Sequence, residues 1–372
     1  MAALLPLISY QASMPTPTSG HVRGRLNHAT LDLLSGADVN FRRETRLDIA
    51  LVKNLNVALI FLPAADIPTF VGEGRVDLGI TGRDQVAEHD ARLGPDDQCG
   101  VEEILDLGFG GCKLQVQVPQ KGPYKDASEL VGKNVVTSFT GLTEAYFAKL
   151  EGASRQADGR WDLKTKVKYV GGSVEAACAL GVADGIVDLV GAYSSSNNNN
   201  HNNDNNRDHH WPPTGLLSLI KPHRSRQTIE SGETMKAAGL KATNTVVSST
   251  AVLVKSRKTT HELVRLLYSR IEGVVTAKKY VLCQYNIPRP LLPQATNFTP
   301  GKRAPTVSAL ETADWVAVSA MVKKSEIANV MDELTEIGAT DILCLPIMNS
   351  RTMTAEEKNM ESPISEKSKF LE

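Results

Sequence analysis

The sequence predicts an α/β fold: a two-lobed body of short apolar strands alternating with helices, then a smaller βαββαβ unit. Two observations carry this. Apolar runs such as 76–80 and 167–170 are followed by glycine and hydroxyl residues and then by helical periodicity, the pattern of strand–turn–helix units whose ligands bind at the carboxyl ends of the strands. From residue 279 the texture changes to alternating strands and one strongly amphipathic helix at 325–337, which reads as a separate unit.

A chain of 372 residues is long enough for two or three domains, each with its own core. Its 41% hydrophobic and 22% charged residues are those of an ordinary globular protein. A formal net charge of −1 argues against a nucleic-acid binder, and 5% aromatics leave few platforms on which bases stack. A phosphorylated small molecule needs only a local positive field. Cys99, Cys112, Cys178, Cys283 and Cys344 are far apart and show no metal or redox spacing, so they read as reduced residues of a cytoplasmic protein. No apolar run reaches the roughly 18 residues of a membrane span. Residues 1–10 lack a basic start and contain Pro6, unlike a signal peptide.

Taken in order, residues 1–20 hold Pro, Ser and Thr without periodicity and are expected to be disordered. In 24–34, Leu26, Ala29, Leu33 and Leu34 share one helical face. Apolar runs at 47–52 and 57–62 read as strands, and Asp66 with Pro68 opens a helix as N-cap and first-turn proline. The 76–82 run is a buried strand ending in Thr81-Gly82, with a helix from Arg83. These alternations predict a mainly parallel sheet. Residues 104–119 alternate apolar and polar positions around a glycine break at 108–111, which suits a crossing between lobes. A second set follows: strand 134–138, helix 143–150, strand 167–170, turn Gly171-Gly172-Ser173, helix 174–180 and strand 185–190. The strand at 245–254 crosses back to the first lobe, with the helix at 262–275 packed there.

Beyond residue 279, strands at 280–285, 304–309, 315–321 and 341–347, a short helix after the first, and the 325–337 helix make a ferredoxin-like βαββαβ unit. Ser325 is the expected N-cap of that helix, Ile327, Val330, Met331, Leu334 and Ile337 its apolar face, and Gly338 its stop. The expected division is a disordered 1–20, lobe I at 21–104 and 245–278, lobe II at 105–244, the βαββαβ domain at 279–349 and a tail at 350–372.

The organising feature is a phosphate turn cut in two. ADGIVDLV at 183–190 reads as a strand, and ESGETM at 230–235 as a hydroxyl–glycine turn opening a helix, where unpaired N–H groups and the helix dipole favour an anion. Between them, 191–229 is an Asn-rich low-complexity insert. Its His201, His209, His210 and His223 read as composition, not as a metal site. Thr81-Gly82 and Gly171-Gly172-Ser173 are two further turns at strand ends. Asp188, flanked by Val187 and Leu189, is costly to bury unsatisfied and suits a ribose hydroxyl or a cation; Asp77, between Val76 and Leu78, follows the same logic. Arg25, Lys53 and Lys113 are the cations nearest these turns. No Ser-His-Asp, Cys-His, zinc or Walker pattern is present, so the residues point to electrostatic positioning and no covalent nucleophile is assigned.

GRL at 24–26, VDLGITGRD at 76–84, GFGGCKL at 108–114, GGSVE at 171–175, ADGIVDLV at 183–190 and ESGETM at 230–235 come in one order, and in that order the chain resembles the ATP phosphoribosyltransferases, in their long form. The likeness runs from Arg23 to about Ser350, apart from the insert. It implies a body like a type II periplasmic binding protein with a C-terminal, histidine-binding regulatory domain of ferredoxin-like (ACT/PII-like) form. The implied reaction joins ATP and 5-phosphoribosyl 1-pyrophosphate into N1-(5-phosphoribosyl)-ATP and pyrophosphate, with Mg2+, histidine as inhibitor, and a cytoplasmic homo-oligomer anywhere from dimer to hexamer. Carried over by motif, Ser231, Gly232, Glu233 and Thr234 cradle the 5-phosphate, and Asp184 and Asp188 hold the ribose hydroxyls, Asp188 also being the candidate metal ligand. Arg25, Asp77, Thr81, Gly82, Gly110, Gly111, Lys113, Ser173 and Glu175 line the nucleotide and pyrophosphate region.

Two departures from the family pattern stand out: His21-Val22-Arg23 replaces the usual apolar strand and lysine turn before Gly24, leaving a central strand unaccounted for, and the insert severs the phosphate turn. They favour the competing reading, a non-catalytic sensor on the same fold. The insert itself reads as a retained intron translated in frame, because deleting 191–229 restores a continuous DLVESGET. Closing a long loop costs little entropy, but a displacement of about 1 Å at a reacting centre costs on the order of a hundredfold in rate. Protein lacking 191–229 is therefore expected to release pyrophosphate much faster than the full chain; equal rates would refute the intron reading.

Overall fold

The structure, a computed structural model, describes residues 2–6, 26–42, 48–93, 100–156, 159–191 and 232–351, with the backbone alone at 2–6 and 232–234. They form two compact units: Met1–Thr30, Arg43–Ala50 and Val57–Thr259 in one, Leu31–Arg42, Leu51–Asn56 and Thr260–Glu372 in the other. The insert lies outside the described residues between Gly191 and Gly232.

In chain order the elements as far as residue 256 are β1 (Ala2–Pro6), α1 (Asn27–Gly36), β2 (Ile49–Leu51), β3 (Val57–Phe61), α2 (Ile67–Gly72), β4 (Leu78–Gly82), α3 (Arg83–Arg92), β5 (Val101–Asp106), β6 (Cys112–Pro119), β7 (Asn134–Thr137), α4 (Thr140–Glu151), β8 (Lys166–Tyr169), α5 (Ala176–Ala179), β9 (Gly185–Gly191), α6 (Gly232–Ala237), β10 (Leu240–Ser249) and β11 (Ala251–Ser256). One sheet has the order β2-β3-β1-β4-β11-β5 and a second β10-β6-β9-β7-β8.

The expectation of a mainly parallel sheet is corrected. β1 pairs antiparallel with β3 and β4, and β11 antiparallel with β4 and β5. In the second sheet β6 is antiparallel to β9 and β10, and β7 alone is parallel to its neighbours β8 and β9. Parallel neighbours need a crossover, which the helices supply between β7, β8 and β9; β5 passes straight into β6, and β10 into β11. The stretch expected to be disordered is also corrected at residues 2–6, which form β1. It runs between β3 and β4, Leu4 opposite both Leu59 and Leu78, and satisfies two rows of backbone groups that a gap would leave unpaired.

β4 is buried throughout because Gly79 lets α2 approach: a Cβ there would lie 2.5 Å from Ile67 Cγ2. Asp66 stands at the N-cap position of α2 but makes no side-chain cap bond, so the expected cap is not formed, while Pro68 does sit in the first turn. The second sheet is apolar on both faces. Val135 and Val187 pack with Leu114, Leu130 and Phe147, whereas their neighbours Val136 and Ile186 pack with Val174 and Leu240 on the opposite face.

The second unit continues with α7 (Glu262–Lys279), β12 (Tyr280–Pro288), α8 (Leu292–Phe298), β13 (Thr306–Ala309), β14 (Trp315–Lys323), α9 (Ile327–Glu336) and β15 (Thr340–Pro346). Its sheet has the order β13-β14-β12-β15 with every pair antiparallel. Val281, Cys283, Tyr285 and Ile287 alternate inward on β12 and meet Val316 and Val318 of β14 beneath Ala295 of α8 and Val330 and Leu334 of α9. The N-cap of α9 is Glu326 and not Ser325, and it makes no side-chain cap bond. Gly338 ends the helix with φ +94°, the left-handed conformation glycine adopts freely.

Glu151, at the end of α4, holds the approach to β8 by accepting from the Lys164 and Thr165 N–H groups at 2.7 and 3.0 Å and from the Thr165 hydroxyl. Partial burial pushes its carboxyl upward, but the Thr165 hydroxyl and the two amides outweigh burial and hold it below the usual glutamate range. A depressed folded-state pKa contributes stability above the unfolded value of about 4.3 and loses it as pH falls through the folded value. Glu151→Gln is therefore expected to cost about 1–2 kcal/mol at pH 7 in urea unfolding and much less near pH 3. An equal cost at both pH values would refute this role.

Candidate functional site

The two sheets of the first unit are joined by two extended crossings that are hydrogen-bonded to each other. Leu107 N–H donates to the Ala251 carbonyl, and Ala251 N–H to the Phe109 carbonyl, both at 2.9 Å. Arg83, the first residue of α3, fastens both crossings. Its guanidinium donates to Glu103 at 2.5 and 2.9 Å and to Asp106 at 3.0 Å on β5, and to the Thr250 hydroxyl at 3.1 Å. Asp106 also accepts from the Thr250 hydroxyl at 2.9 Å and from Gly108 N–H at 2.8 Å. Partial burial raises the Asp106 carboxyl, but Gly108, Thr250 and Arg83 together hold it below the usual carboxylate range. Glu103 pushes the Arg83 guanidinium further up.

Beside these crossings lies the end of β9. Antiparallel pairing places Lys113 opposite Val190 and Gln115 opposite Asp188, so Lys113, Gln115 and Asp188 share one face. Gln115 donates to the Thr245 hydroxyl at 3.1 Å, which extends a polar row from β10 through β6 to β9. Ile186, two residues before Asp188 and on the same face, packs with Met235 of α6. The first turn of α6, containing Gly232, Glu233 and Thr234, therefore belongs to a helix that covers the Asp188 face. Lys113 is exposed at the same edge.

Gly110 and Gly111 lie in the first crossing. Gly110 has φ +68°, and a Cβ there would lie 2.0 Å from Leu26 Cδ2, so the segment closes on the residue after Arg25 only as glycine. Arg25 and Ser231 are outside the described residues. Gly171, Gly172 and Ser173 follow the end of β8 as an exposed turn, Ser173 with φ +51°, and Glu175 stands half-buried at the N-cap of α5.

Five expected positions are placed elsewhere or otherwise engaged. Thr81 is fully buried and its hydroxyl donates to the Ala64 carbonyl at 2.9 Å. Gly82 opens α3, but the Arg83 N–H donates to the Thr250 carbonyl and the Asp84 N–H to Ser249 Oγ, so the first donors of that turn serve the second crossing. Asp77 precedes β4, at the end opposite Gly82, and its carboxylate accepts from the Thr259 hydroxyl. Asp184 likewise precedes β9, at the far end from Gly191. It accepts from Asn134 N–H at 3.0 Å, Asn134 Nδ2 at 3.3 Å and the Tyr124 hydroxyl at 3.4 Å. A strand rises about 3.3 Å per residue, so an acid at its start is far from ligands at its carboxyl end. Lys53 falls in the other unit.

Sequence reasoning missed Arg83, Asp106, Ser249 and Thr250. Arg83 and Asp84 were visible within the 76–84 motif, but nothing local marks Ser249 and Thr250 as their partners.

The second unit holds a cavity of about 500 Å3 on its sheet, lined by Lys302, Arg303 and Arg351 and by the hydroxyls of Thr306, Ser319 and Ser350. Three cations with three hydroxyls suit a small anionic ligand. Among the described residues no cluster of three His, Cys, Asp or Glu side chains is placed to hold a metal ion, and no helix is long and apolar enough to cross a membrane.

The family model for ATP phosphoribosyltransferase matches residues 63–200, and that for the C-terminal domain of the same family matches residues 277–349. The chain is 51% identical to the ATP phosphoribosyltransferase of Yarrowia lipolytica over 330 residues, which is 88% of this chain and 94% of that protein. It is 48% identical to that of Schizosaccharomyces pombe and 45% to that of Saccharomyces cerevisiae, over the same shares.

The contacts of Asp184 make it a structural acid. Asp184→Ala, which leaves the Asn134 N–H without its acceptor, is expected to lower stability by about 1–3 kcal/mol in urea unfolding with turnover and KM unchanged. A raised KM at unchanged stability would return Asp184 to the site.

Proposed function

The chain belongs to the ATP phosphoribosyltransferase family, and from that membership we propose that it joins ATP to 5-phosphoribosyl 1-pyrophosphate, the first step of histidine biosynthesis. The products are N1-(5-phosphoribosyl)-ATP and pyrophosphate. The observation that supports this reading best is the grouping of Asp188 and Lys113 on the face of the second sheet that α6 covers.

In this reaction the adenine N1 forms a bond to ribose C1 as the bond from C1 to pyrophosphate breaks, and positive charge builds on the sugar. In this reading the first turn of α6, with Ser231, Gly232, Glu233 and Thr234, holds the 5-phosphate. Asp188 serves the ribose hydroxyls and its charge favours the cationic sugar, while Lys113 and Arg25 draw the polyanionic end. Gly110, Gly111, Ser173 and Glu175 border the nucleotide. Mg2+ bound to the pyrophosphoryl oxygens of 5-phosphoribosyl 1-pyrophosphate would neutralise the charge of the departing pyrophosphate. Among the described residues no group of three His, Cys, Asp or Glu side chains is placed for a metal ion, so Asp188 would share Mg2+ with the phosphate oxygens of the substrate.

The straight crossings and mixed sheets support a two-lobed body of the type II periplasmic-binding-protein kind. The βαββαβ order and the β13-β14-β12-β15 sheet support a ferredoxin-like (ACT/PII-like) regulatory domain, and the basic cavity on that sheet has the charge to take the carboxylate of L-histidine. The working form is a cytoplasmic homo-oligomer. Of the two departures that favoured a non-catalytic sensor, the unaccounted central strand is present as β1, between β3 and β4.

Purified protein supplied with ATP, 5-phosphoribosyl 1-pyrophosphate and Mg2+ is expected to form N1-(5-phosphoribosyl)-ATP and an equal amount of pyrophosphate; binding without either product would refute the enzyme reading. Thr234→Val is expected to raise KM for 5-phosphoribosyl 1-pyrophosphate by roughly 10- to 150-fold, the equivalent of losing one hydrogen bond to a charged group. An unchanged KM would remove Thr234 from the site.

A further inference from the structure

Helix α4 begins without a cap of its own. Its N-cap residue is Phe139, which has no side-chain acceptor, so the amides of Gly141 and Leu142 would be orphaned. Both are satisfied from α3. Glu88 Oε1 accepts from Gly141 N–H and Oε2 from Leu142 N–H, each at 2.9 Å, and the residue is 6% exposed. Arg92, one turn further along α3, bonds Glu88 at 2.7 Å and the Thr140 hydroxyl at 3.0 Å. The same C-terminal end of α3 is also held by Arg155, stacked over Trp161, which donates to the Ala91 carbonyl at 3.4 Å. The helices also touch closely, since a Cβ on Gly141 would meet Arg92 Cγ at 3.1 Å and Ala91 Cβ at 3.2 Å.

α3 follows β4 of the first sheet, and α4 follows β7 of the second. The same α3 carries Arg83, which fastens both crossings. One helix is thus bonded at its start to the connections between the sheets and at its middle and end to a helix of the far sheet. Those are the contacts of a strut. A buried carboxylate whose two oxygens each accept one amide sets distance and orientation together, and glycine at the contact lets the helices approach as far as they do.

We propose that α3 sets the spacing between the two halves of the first unit, and that Glu88 is a positioning residue for the reaction, acting through its cap on α4. This rests on the reading that the substrates meet at the edge where the sheets join. The cradle assigned to 5-phosphoribosyl 1-pyrophosphate, Asp188, Lys113 and α6, lies wholly in the second-sheet half. A loosened strut leaves that cradle intact and misplaces the other half relative to it, and misplacement of about 1 Å costs on the order of a hundredfold in rate.

The test compares Glu88→Gln, whose amide offers one acceptor where two N–H groups need one each, with Gly141→Ala, which wedges the helices apart and favours α4 by propensity. For each, kcat and the directly measured Kd for 5-phosphoribosyl 1-pyrophosphate are determined beside the unaltered chain. The expected result is a fall in kcat of tenfold or more in both variants, with Kd within twofold of the unaltered protein. Unchanged kcat in either folded variant would overturn the proposal, even if that variant melts earlier, because the contact would then only stabilise. Weakened binding in proportion to kcat would overturn it too, since the cradle itself would be damaged. Loss of the far-ultraviolet dichroism of both variants would equally overturn it, making the contact a requirement for folding. Absence of turnover in the unaltered chain would instead count against the proposed reaction.

Discussion

The first unit depends on two extended segments crossing between its sheets as a hydrogen-bonded pair. Each backbone bond between them contributes roughly 1 kcal/mol net, too little to hold two sheets in one orientation. Arg83 adds charge-assisted bonds to Glu103 and Asp106, which in turn hold Thr250 and Gly108. Their side chains are about a third to a half exposed, where an isolated pair is worth at most about 1 kcal/mol. The value of this network is therefore geometric: a planar fork meets two carboxylates on one strand while the third contact lies on the other crossing. The sheets' edges, and with them Lys113, Asp188 and the start of α6, follow from where the crossings stand.

Burial explains why part of the 76–84 motif serves the fold and not the ligand. Thr81 and Asp84 are almost fully enclosed, and an enclosed hydroxyl or carboxylate without partners costs several kcal/mol. Thr81 finds the Ala64 carbonyl, and Asp84 finds Ser249 on the second crossing. The motif thereby ties β4 and α3 to the returning chain. A residue within a recognised motif can thus be present because the site needs its neighbours held still.

β1 shows the same priority of backbone pairing over local signal. Residues 2–6 are too short a run for periodicity to mark, and Pro6 argues against a strand. The position between β3 and β4 nevertheless presents N–H and C=O groups on both sides, and an apolar segment that meets both removes two edges at once. The demand comes from strands more than fifty residues further along the chain, so no window around residue 4 contains it.

The sequence by itself determined the α/β class, the βαββαβ order after residue 279 and the family, because these depend on local periodicity and on motifs read in order. It could not decide strand direction, since an apolar run looks the same whether its neighbour is parallel or antiparallel. Nor could it tell which end of a strand an acid occupies relative to a ligand, which is why Asp77 and Asp184 looked equivalent to Asp188. The partnerships of Arg83 with Thr250 and of Glu88 with the amides of Gly141 and Leu142 span 167, 53 and 54 residues. Only the tertiary structure decides them, because a buried charge or an uncapped helix end is satisfied by whichever group folding brings within hydrogen-bonding distance.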